Sequence, residues 1–206
     1  MKVKICGITN YEDAALALEA GVDALGFNFY PASPRYIGPE AARAIIGRLP
    51  PFAVTVGLFV NVERPDAVAR TAKLAGIGVI QLHGDESPEY CRELSDYPLI
   101  KALRLGSRPV ARDLDRYPVR AFLLDVQDDI LFGGTGISFD WNLARHIDRR
   151  RPIVLAGGLR ADNVRAAIQA VDPYGVDVCS GVERAPGIKD PAKVVEFMHE
   201  VRHVSR

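Results

Sequence analysis

The sequence predicts a single (βα)8 barrel, the TIM-barrel architecture, at close to the minimal size for that fold. Eight short apolar runs alternate with amphipathic stretches of helical period along the 206 residues. The runs are too apolar to be half-exposed strands, which indicates a parallel sheet covered by helices. Glycines cluster after the sixth, seventh and eighth runs, whereas an open doubly wound sheet usually has its glycine-rich loop after the first strand. We therefore expect one closed barrel domain over residues 1–206.

Each βα unit can be placed on the chain in turn. Predicted strands begin at Val3, Ala24, Ala53, Val79, Leu99, Ala121, Pro152 and Val176. Helical patterns follow them, after Asn10, Pro39, Pro65, Ser87, Arg108, Asp140, Ala161 and Asp190. Several of these helices have Pro in the first turn or an Asn or Asp cap, which both favour a helix start. The fifth, RPVARDLDRY, carries the weakest helical pattern.

Charge and hydropathy narrow the class of partner. Acidic and basic residues balance at 26 each, so no global field favours nucleic acid or an anionic membrane, and a small-molecule partner is expected. The first apolar run starts at Val3, which leaves no room for a signal peptide, and no run approaches the ~20 residues of a membrane span. We expect a cytoplasmic protein, and the sequence leaves open whether it is a monomer or a homodimer.

Three cysteines are present, Cys6, Cys91 and Cys179. Their number is odd and their spacing does not match a metal site, which argues against a disulfide framework and against bound zinc. We therefore expect free thiols and no metal.

In a barrel of this kind the active site lies at the carboxyl ends of the strands. Cys6 ends the first strand, His83 the fourth and Asp125 the sixth. The seventh ends in Gly157 and Gly158, and the eighth in Ser180 and Gly181. The loop after strand two contains SPRYI, and the loop after strand six contains GGTG. These are the candidate site residues.

The order of these motifs resembles one family from end to end. KICGIT, SPRYI, GLFVN, QLHGDE, LLD followed by GGTG and FDW, LAGGL, and VDVCSGVE are similar to phosphoribosylanthranilate isomerase. The resemblance implies an Amadori rearrangement in tryptophan biosynthesis, in which N-(5'-phosphoribosyl)anthranilate is ring-opened and isomerised to the 1-deoxyribulose 5-phosphate derivative. It implies no cofactor, because the substrate nitrogen serves as the electron sink. It also implies that Cys6 is the general base and Asp125 the general acid.

Both groups are in the wrong protonation state in water. A free thiol with a pKa of about 8.5 is mostly protonated at neutral pH, whereas an aspartic acid with a pKa of about 4 is mostly ionised. We therefore predict a lowered pKa for Cys6, below about 8, and a raised one for Asp125. Lys4 shares a strand face with Cys6 and is the expected source of positive field. Without the resemblance, Cys6 could equally be a small buried residue and Asp125 a loop carboxylate.

The substrate's two anionic groups need partners. Arg35 in SPRYI is the candidate for the anthranilate carboxylate, since a guanidinium can grip a carboxylate through two parallel hydrogen bonds; Arg104 is the competing residue. For the phosphate, the glycine motifs provide close backbone approach, and the GGTG loop is expected to close over the ligand. The predicted phosphate-binding residues are Gly134, Gly136, Gly157, Gly158, Ser180 and Gly181.

Four further residues near the site are given no catalytic or substrate-binding role. His83 and Gln81 are interpreted as framework residues facing the barrel interior, and Asp177 as a support for Cys6. Cys179 stands where the family pattern has serine, beside Cys6 on the neighbouring strand. Oxidation would cross-link the two thiols only if their Cα atoms lie within about 7 Å, and full activity after mild oxidation would exclude this.

Three other functions compete with this interpretation. The related isomerase of histidine biosynthesis performs the same rearrangement on a two-phosphate substrate, but it has aspartate in place of Cys6. A Schiff-base aldolase would use Lys101 on strand five. A non-catalytic phosphate-ligand sensor would need neither an acid nor a base, so the joint presence of Cys6, Arg35 and Asp125 argues against it.

Overall fold

The computed structural model describes residues 1–105, 114–126 and 150–204. Eight parallel strands form a closed barrel in the order β1 to β8, and β8 pairs with β1 to complete the ring. The strands are β1 (Lys2–Ile5), β2 (Ala24–Asn28), β3 (Val54–Phe59), β4 (Val79–Leu82), β5 (Leu99–Leu105), β6 (Ala121–Val126), β7 (Ile153–Ala156) and β8 (Gly175–Val178). The predicted fold class is therefore confirmed.

Helices follow the strands where the sequence places them. In the described part of the chain they are α1 (Tyr11–Glu19), α2 (Pro39–Ile46), α3 (Pro65–Ala75), α4 (Pro88–Arg92), α5 (Ala161–Val171) and α6 (Pro191–Arg202). Asn10, Ser87 and Asp190 each cap a helix by accepting hydrogen bonds from backbone N–H groups of its first turn. Of the helix predicted after Arg108, only the last residues are described, and they contain a short 3-10 turn at Leu114–Arg116; the helix predicted after Asp140 lies outside the described residues.

Apolar side chains pack on both sides of the sheet. The larger core lies between the strands and the helices and includes Phe27, Phe122 and Phe197, each almost completely buried. A smaller cluster inside the barrel contains Ala102, Leu123 and Ala156, packed against partly buried Ile100 and Val154. In the part of the barrel toward the carboxyl ends of the strands, the interior side chains become polar: Lys4, Gln81 and Asp177 are all buried. Burial of charge is expensive unless each group is paired, so this region is built for something other than stability.

A short antiparallel hairpin follows β8, and the sequence does not predict it. Its strands are β9 (Glu183–Ala185) and β10 (Ile188–Lys189). The side chain of Thr9, in the loop after β1, donates to the Gly187 carbonyl at the hairpin turn, 2.5 Å away. The hairpin thereby brings Glu183 and Lys189 to the mouth of the barrel beside the first loop. Among the described helices, none combines the length and apolar character needed to cross a membrane.

Candidate active site

Cys6 lies one residue beyond β1, at the barrel mouth, with only 6% of its surface exposed. Its N–H donates to the carbonyl of Val178, which extends the ladder between β1 and β8. Because Ile5 pairs with Val178, Cys6 and Cys179 are the next residues on these neighbouring strands. Neighbouring strands lie about 5 Å apart, which meets the Cα distance condition for a cross-link. Both thiols are free.

The surroundings of Cys6 favour its thiolate. A hydrogen bond from the Cys179 thiol, together with the charges of Lys4 and Lys189, lowers the pKa of Cys6 well below its ordinary value, against the burial that would raise it. The Cys179 pKa moves the opposite way, because its proton is held by Cys6 and because it is itself buried. The Cys6 pKa is shifted in the direction that the sequence predicts, and the hydrogen bond from Cys179 contributes to the shift in addition to Lys4.

Lys4 is the cation beneath Cys6, and Asp177 holds it in place. The Lys4 Nζ lies 2.8 Å from Oδ2 of Asp177, and both side chains are buried. Burial raises the pKa of Asp177 to about 6 despite the lysine charge. Asp177 therefore supports Cys6 through Lys4, which refines the prediction of direct support.

Asp125 lies on β6, three strands from β1 when the ring is followed through β8 and β7. Its side chain is a quarter exposed, and its Oδ2 lies 2.8 Å from Nε2 of His83 at the end of β4. The other imidazole nitrogen, Nδ1, lies 2.8 Å from the amide nitrogen of Gln81. The structure thus connects the two residues interpreted as framework to the predicted acid. The predicted rise in the Asp125 pKa stays a prediction.

The loop that carries His83 is anchored from below by Lys101. Its Nζ donates to the Gly84 and Ala102 carbonyls, at 2.6 and 3.0 Å, and pairs with Glu86 at 3.0 Å. Glu86 in turn accepts from the Gly84 N–H. The amine is 3% exposed and fully engaged, so it is poorly placed to form a Schiff base. This geometry disfavours the aldolase alternative.

Arg35 reaches across the mouth to Glu183 on the hairpin. Its Nε donates to both carboxylate oxygens at 3.0 Å, and one terminal nitrogen, Nη2, donates to Oε2 at 2.7 Å. The loop is shaped by Ser33, whose hydroxyl accepts from the Arg35 N–H and the Asn28 amide. Arg35 is therefore held by a protein carboxylate in this structure, and any substrate carboxylate must be met by its remaining N–H groups. Arg104, the competing residue, donates to the His83 carbonyl at 3.4 Å.

Glu183 and Lys189 are functional candidates that sequence reasoning missed. Glu183 is 7% exposed and accepts from Arg35, from Lys189 at 2.9 Å and from the Gly187 N–H at 3.1 Å. Burial opposes its ionisation, but Arg35 and Lys189 outweigh that effect and lower its pKa. Lys189 also donates to the Cys6 carbonyl at 2.5 Å. The only sequence signal was the position of Glu183, two residues after the strand-eight glycine Gly181; nothing local marks Lys189.

The predicted phosphate loops after β7 and β8 lie against each other. Gly157 and Gly158 both have positive φ, of 91° and 59°. A Cβ on Gly181 would lie 1.9 Å from the Leu159 carbonyl oxygen, so only glycine fits there. Ser180 begins the short 3-10 turn that carries Gly181. The structure brings into contact the two loops that carry these four predicted residues, whereas Gly134 and Gly136 lie outside the described residues. In the described ranges, no cluster of three or more potential ligands could hold a metal ion.

Comparison with known proteins agrees with this architecture. Residues 3–200 match the family model described as N-(5'phosphoribosyl)anthranilate (PRA) isomerase. The protein of that name from Geotalea uraniireducens is 53% identical over 201 residues, 98% of each chain. The corresponding protein from Pelobacter propionicus is 52% identical over 198 residues, 96% of this chain and 94% of that one.

Solved structures give the same result. Phosphoribosyl anthranilate isomerase from Thermus thermophilus superposes with a TM-score of 0.88 at 40% identity, covering both chains fully. A second structure of the enzyme, in complex with reduced 1-(o-carboxyphenylamino)-1-deoxyribulose 5-phosphate, has a TM-score of 0.83 at 42% identity and 98% coverage of both chains. A third, of monomers derived from the dimeric enzyme of Thermotoga maritima, has a TM-score of 0.80 at 38% identity, covering 98% and 99% of the two chains. The chain belongs to the N-(5'-phosphoribosyl)anthranilate isomerase family.

Proposed function

We propose that this protein converts N-(5'-phosphoribosyl)anthranilate into 1-(2-carboxyphenylamino)-1-deoxyribulose 5-phosphate by general acid–base catalysis, as an isomerase of tryptophan biosynthesis. The observation that carries the proposal is the placement of a thiol and a carboxyl group at one barrel mouth, on strands well separated around the ring. The reaction needs two groups that face the sugar from different sides. A phosphate-binding sensor would need neither.

The first step opens the furanose. Asp125 in its protonated form delivers a proton to the ring oxygen, and the C1'–O bond breaks as the anthranilate nitrogen forms a protonated imine with C1'. The partly exposed carboxyl group faces the mouth, where a substrate can reach it. The carboxylate left behind retains its contact with His83.

The second step moves a proton from carbon. The Cys6 thiolate removes the proton on C2', and the electron pair flows into the imine to give an enolamine. Cys6 then returns its proton to C1', and the C2' hydroxyl proton is lost to the Asp125 carboxylate, which gives the ketone and restores both catalytic groups. Lys4, held by Asp177, keeps the thiolate form available. The chemistry balances without an external oxidant or reductant.

The substrate is held at its two ends. Arg35 binds the anthranilate carboxylate through the donors that Glu183 does not occupy. The phosphate is bound by backbone N–H groups of the paired loops at Gly157, Gly158, Ser180 and Gly181.

The test follows phosphoribosylanthranilate optically as it is consumed. We expect turnover by the wild-type protein, and losses of at least about a hundredfold in kcat for Cys6→Ala and for Asp125→Asn. Cys91→Ala is the matched control, because this thiol is buried in α4 on the outer side of the barrel. Absence of turnover by the wild type would reject the function, whereas unimpaired variants would reject only the roles of the two residues.

For the oligomeric state we propose a homodimer. The amino-terminal end of the barrel encloses a cavity of about 440 Å³, lined by Val54 and Tyr174 among other residues. Phe52 at its rim is 96% exposed, and the Thermotoga maritima relative is described as dimeric. Light scattering should give twice the chain mass for the wild type and one chain mass for Phe52→Asp. Val195→Asp, an exposed apolar position on α6, should leave the mass unchanged. A monomeric wild type would refute the proposal.

The cytoplasmic location expected from the sequence also remains a proposal. Cell fractionation tests it, and recovery of the protein in a membrane or extracellular fraction would contradict it.

A further inference from the structure

The contacts of Gln81 determine which nitrogen of His83 carries a proton. The side-chain nitrogen of Gln81 lies 2.8 Å from Nδ1 of His83, and an amide NH2 group can only donate. With the Gln81 amide in this orientation, Nδ1 is the unprotonated, accepting nitrogen. A neutral imidazole has one proton, which then resides on Nε2, 2.8 Å from Oδ2 of Asp125.

This arrangement also distinguishes the two oxygens of Asp125. Oδ2 accepts the N–H of His83, so the proton that Asp125 gives to a substrate must be carried by Oδ1. When Oδ1 loses that proton, negative charge develops on the carboxyl group, and the hydrogen bond from Nε2 becomes charge-assisted and stronger. The contact therefore stabilises the carboxylate that proton donation leaves on Asp125.

We propose that Gln81 is a positioning residue for the acid: it keeps the His83 proton on Nε2, directs it to Oδ2 of Asp125 and leaves Oδ1 to deliver the catalytic proton. This inference depends on the proposed function for its assignment of the acid. The assignment of the His83 tautomer stands without it.

Gln81 makes its contact with His83 at the cost of one buried oxygen that has no partner among the described residues. Gln81 is completely buried, and its Oε1 has no hydrogen-bond partner in the described part of the chain. An unpartnered buried oxygen is unfavourable, and an apolar side chain of similar size would avoid that cost. The reversed amide would place two N–H donors where Oε1 now lies and would require a proton on Nδ1. The observed orientation keeps the N–H on the side of Asp125.

The backbone around His83 makes the contact rigid. The His83 N–H donates to the Phe59 carbonyl at 2.8 Å, which continues the ladder between β3 and β4. Lys101 and Glu86 hold the next residue, Gly84, as described above. The imidazole is thus fixed by its own backbone and by hydrogen bonds at both ring nitrogens. A group positioned in this way needs no reorganisation when charge develops on Asp125.

The direct test is the tautomer of His83, measured by 15N NMR of the imidazole in the full-length protein. His83→Asn identifies the signals among those of the four histidines. At neutral pH we expect an unprotonated Nδ1 and a protonated Nε2. In Gln81→Glu, a carboxylate that can only accept should draw a proton onto Nδ1. A wild-type protein with a protonated Nδ1 would overturn the proposal.

Kinetics test the effect on the acid. Loss of a hydrogen-bond network to a charged group corresponds to about ten- to a hundredfold in rate, so Gln81→Leu should lower kcat by that factor with KM within about twofold. Val79→Ala, an interior truncation on the same strand, should retain kcat. In an Asp125→Asn background, Gln81→Leu should have almost no further effect, whereas a purely structural role would multiply the two losses.

The two proposals fail in different ways. If Asp125→Asn is fully active, the acid is misassigned while the tautomer result is unaffected. If Asp125→Asn is impaired and the losses multiply, the acid assignment stands and the role of Gln81 is refuted. The NMR measurement uses the wild-type protein and decides the tautomer even where Gln81→Leu does not fold.

Discussion

Gly181→Ala is the substitution for which the structure gives the clearest magnitude. The new Cβ would lie 1.9 Å from the Leu159 carbonyl oxygen and 2.9 Å from its carbon, and real Cβ contacts are essentially never shorter than 3.0 Å. The loops after β7 and β8 must therefore separate by roughly 1.1 Å, with backbone on both sides of the contact. A displacement of about 1 Å in a binding group can cost about a hundredfold in rate. If these loops hold the phosphate, KM should rise about ten- to a hundredfold.

The assay measures KM and kcat for phosphoribosylanthranilate, together with competitive inhibition by inorganic phosphate. Gly38→Ala is the control, because a Cβ there meets no atom within 4 Å and Gly38 lies at the start of α2. Gly158→Ala separates the effect of a steric clash from that of backbone strain. Its Cβ also meets no atom within 4 Å, but the backbone has a φ of 59°, and an L-residue in this left-handed conformation costs about 1–2 kcal/mol. We expect a smaller effect there. A folded Gly181→Ala protein with unchanged KM and phosphate inhibition would refute the assignment of the phosphate site.

Three further predictions concern the base and the carboxylate partner. Because its pKa is lowered, Cys6 should remain a thiolate to lower pH than free cysteine, so the apparent pKa of its alkylation by iodoacetamide should lie below that of free cysteine. Cys91, whose pKa burial raises to about 11, should stay unmodified. An ordinary apparent pKa for Cys6, near about 8.5, would contradict the prediction. Lys4→Met combined with Asp177→Asn, which leaves no buried charge unpaired, should give Cys6 a higher apparent pKa than Asp177→Asn alone. Identical alkylation profiles for these two variants would show that Lys4 contributes no field. Arg35→Lys should raise KM more than it lowers kcat, because lysine lacks the planar pair of donors. An unchanged KM would count against Arg35 as the residue that binds the anthranilate carboxylate.

The sequence was most informative where a local pattern has one physical meaning. Alternating apolar runs and capped amphipathic segments predicted the eight strands and the helices in the described ranges, because periodicity and caps are properties of neighbouring residues. The rule that barrel sites lie at strand ends then placed Cys6 and Asp125 at one mouth. The β9–β10 hairpin was missed because three- and two-residue strands leave too short a pattern to distinguish from a loop.

The sequence by itself therefore determined the barrel, its family and the positions of Cys6 and Asp125 at the carboxyl ends of their strands. Only the tertiary structure decided the further contacts: Cys179 and Lys189 on Cys6, Glu183 on Arg35, and Gln81 through His83 on Asp125. Partners such as Arg35 and Glu183 lie 148 residues apart in the chain. Such contacts arise from strand order and ring closure, and a pKa or a tautomer depends on the few ångströms around a group, which no local sequence pattern records.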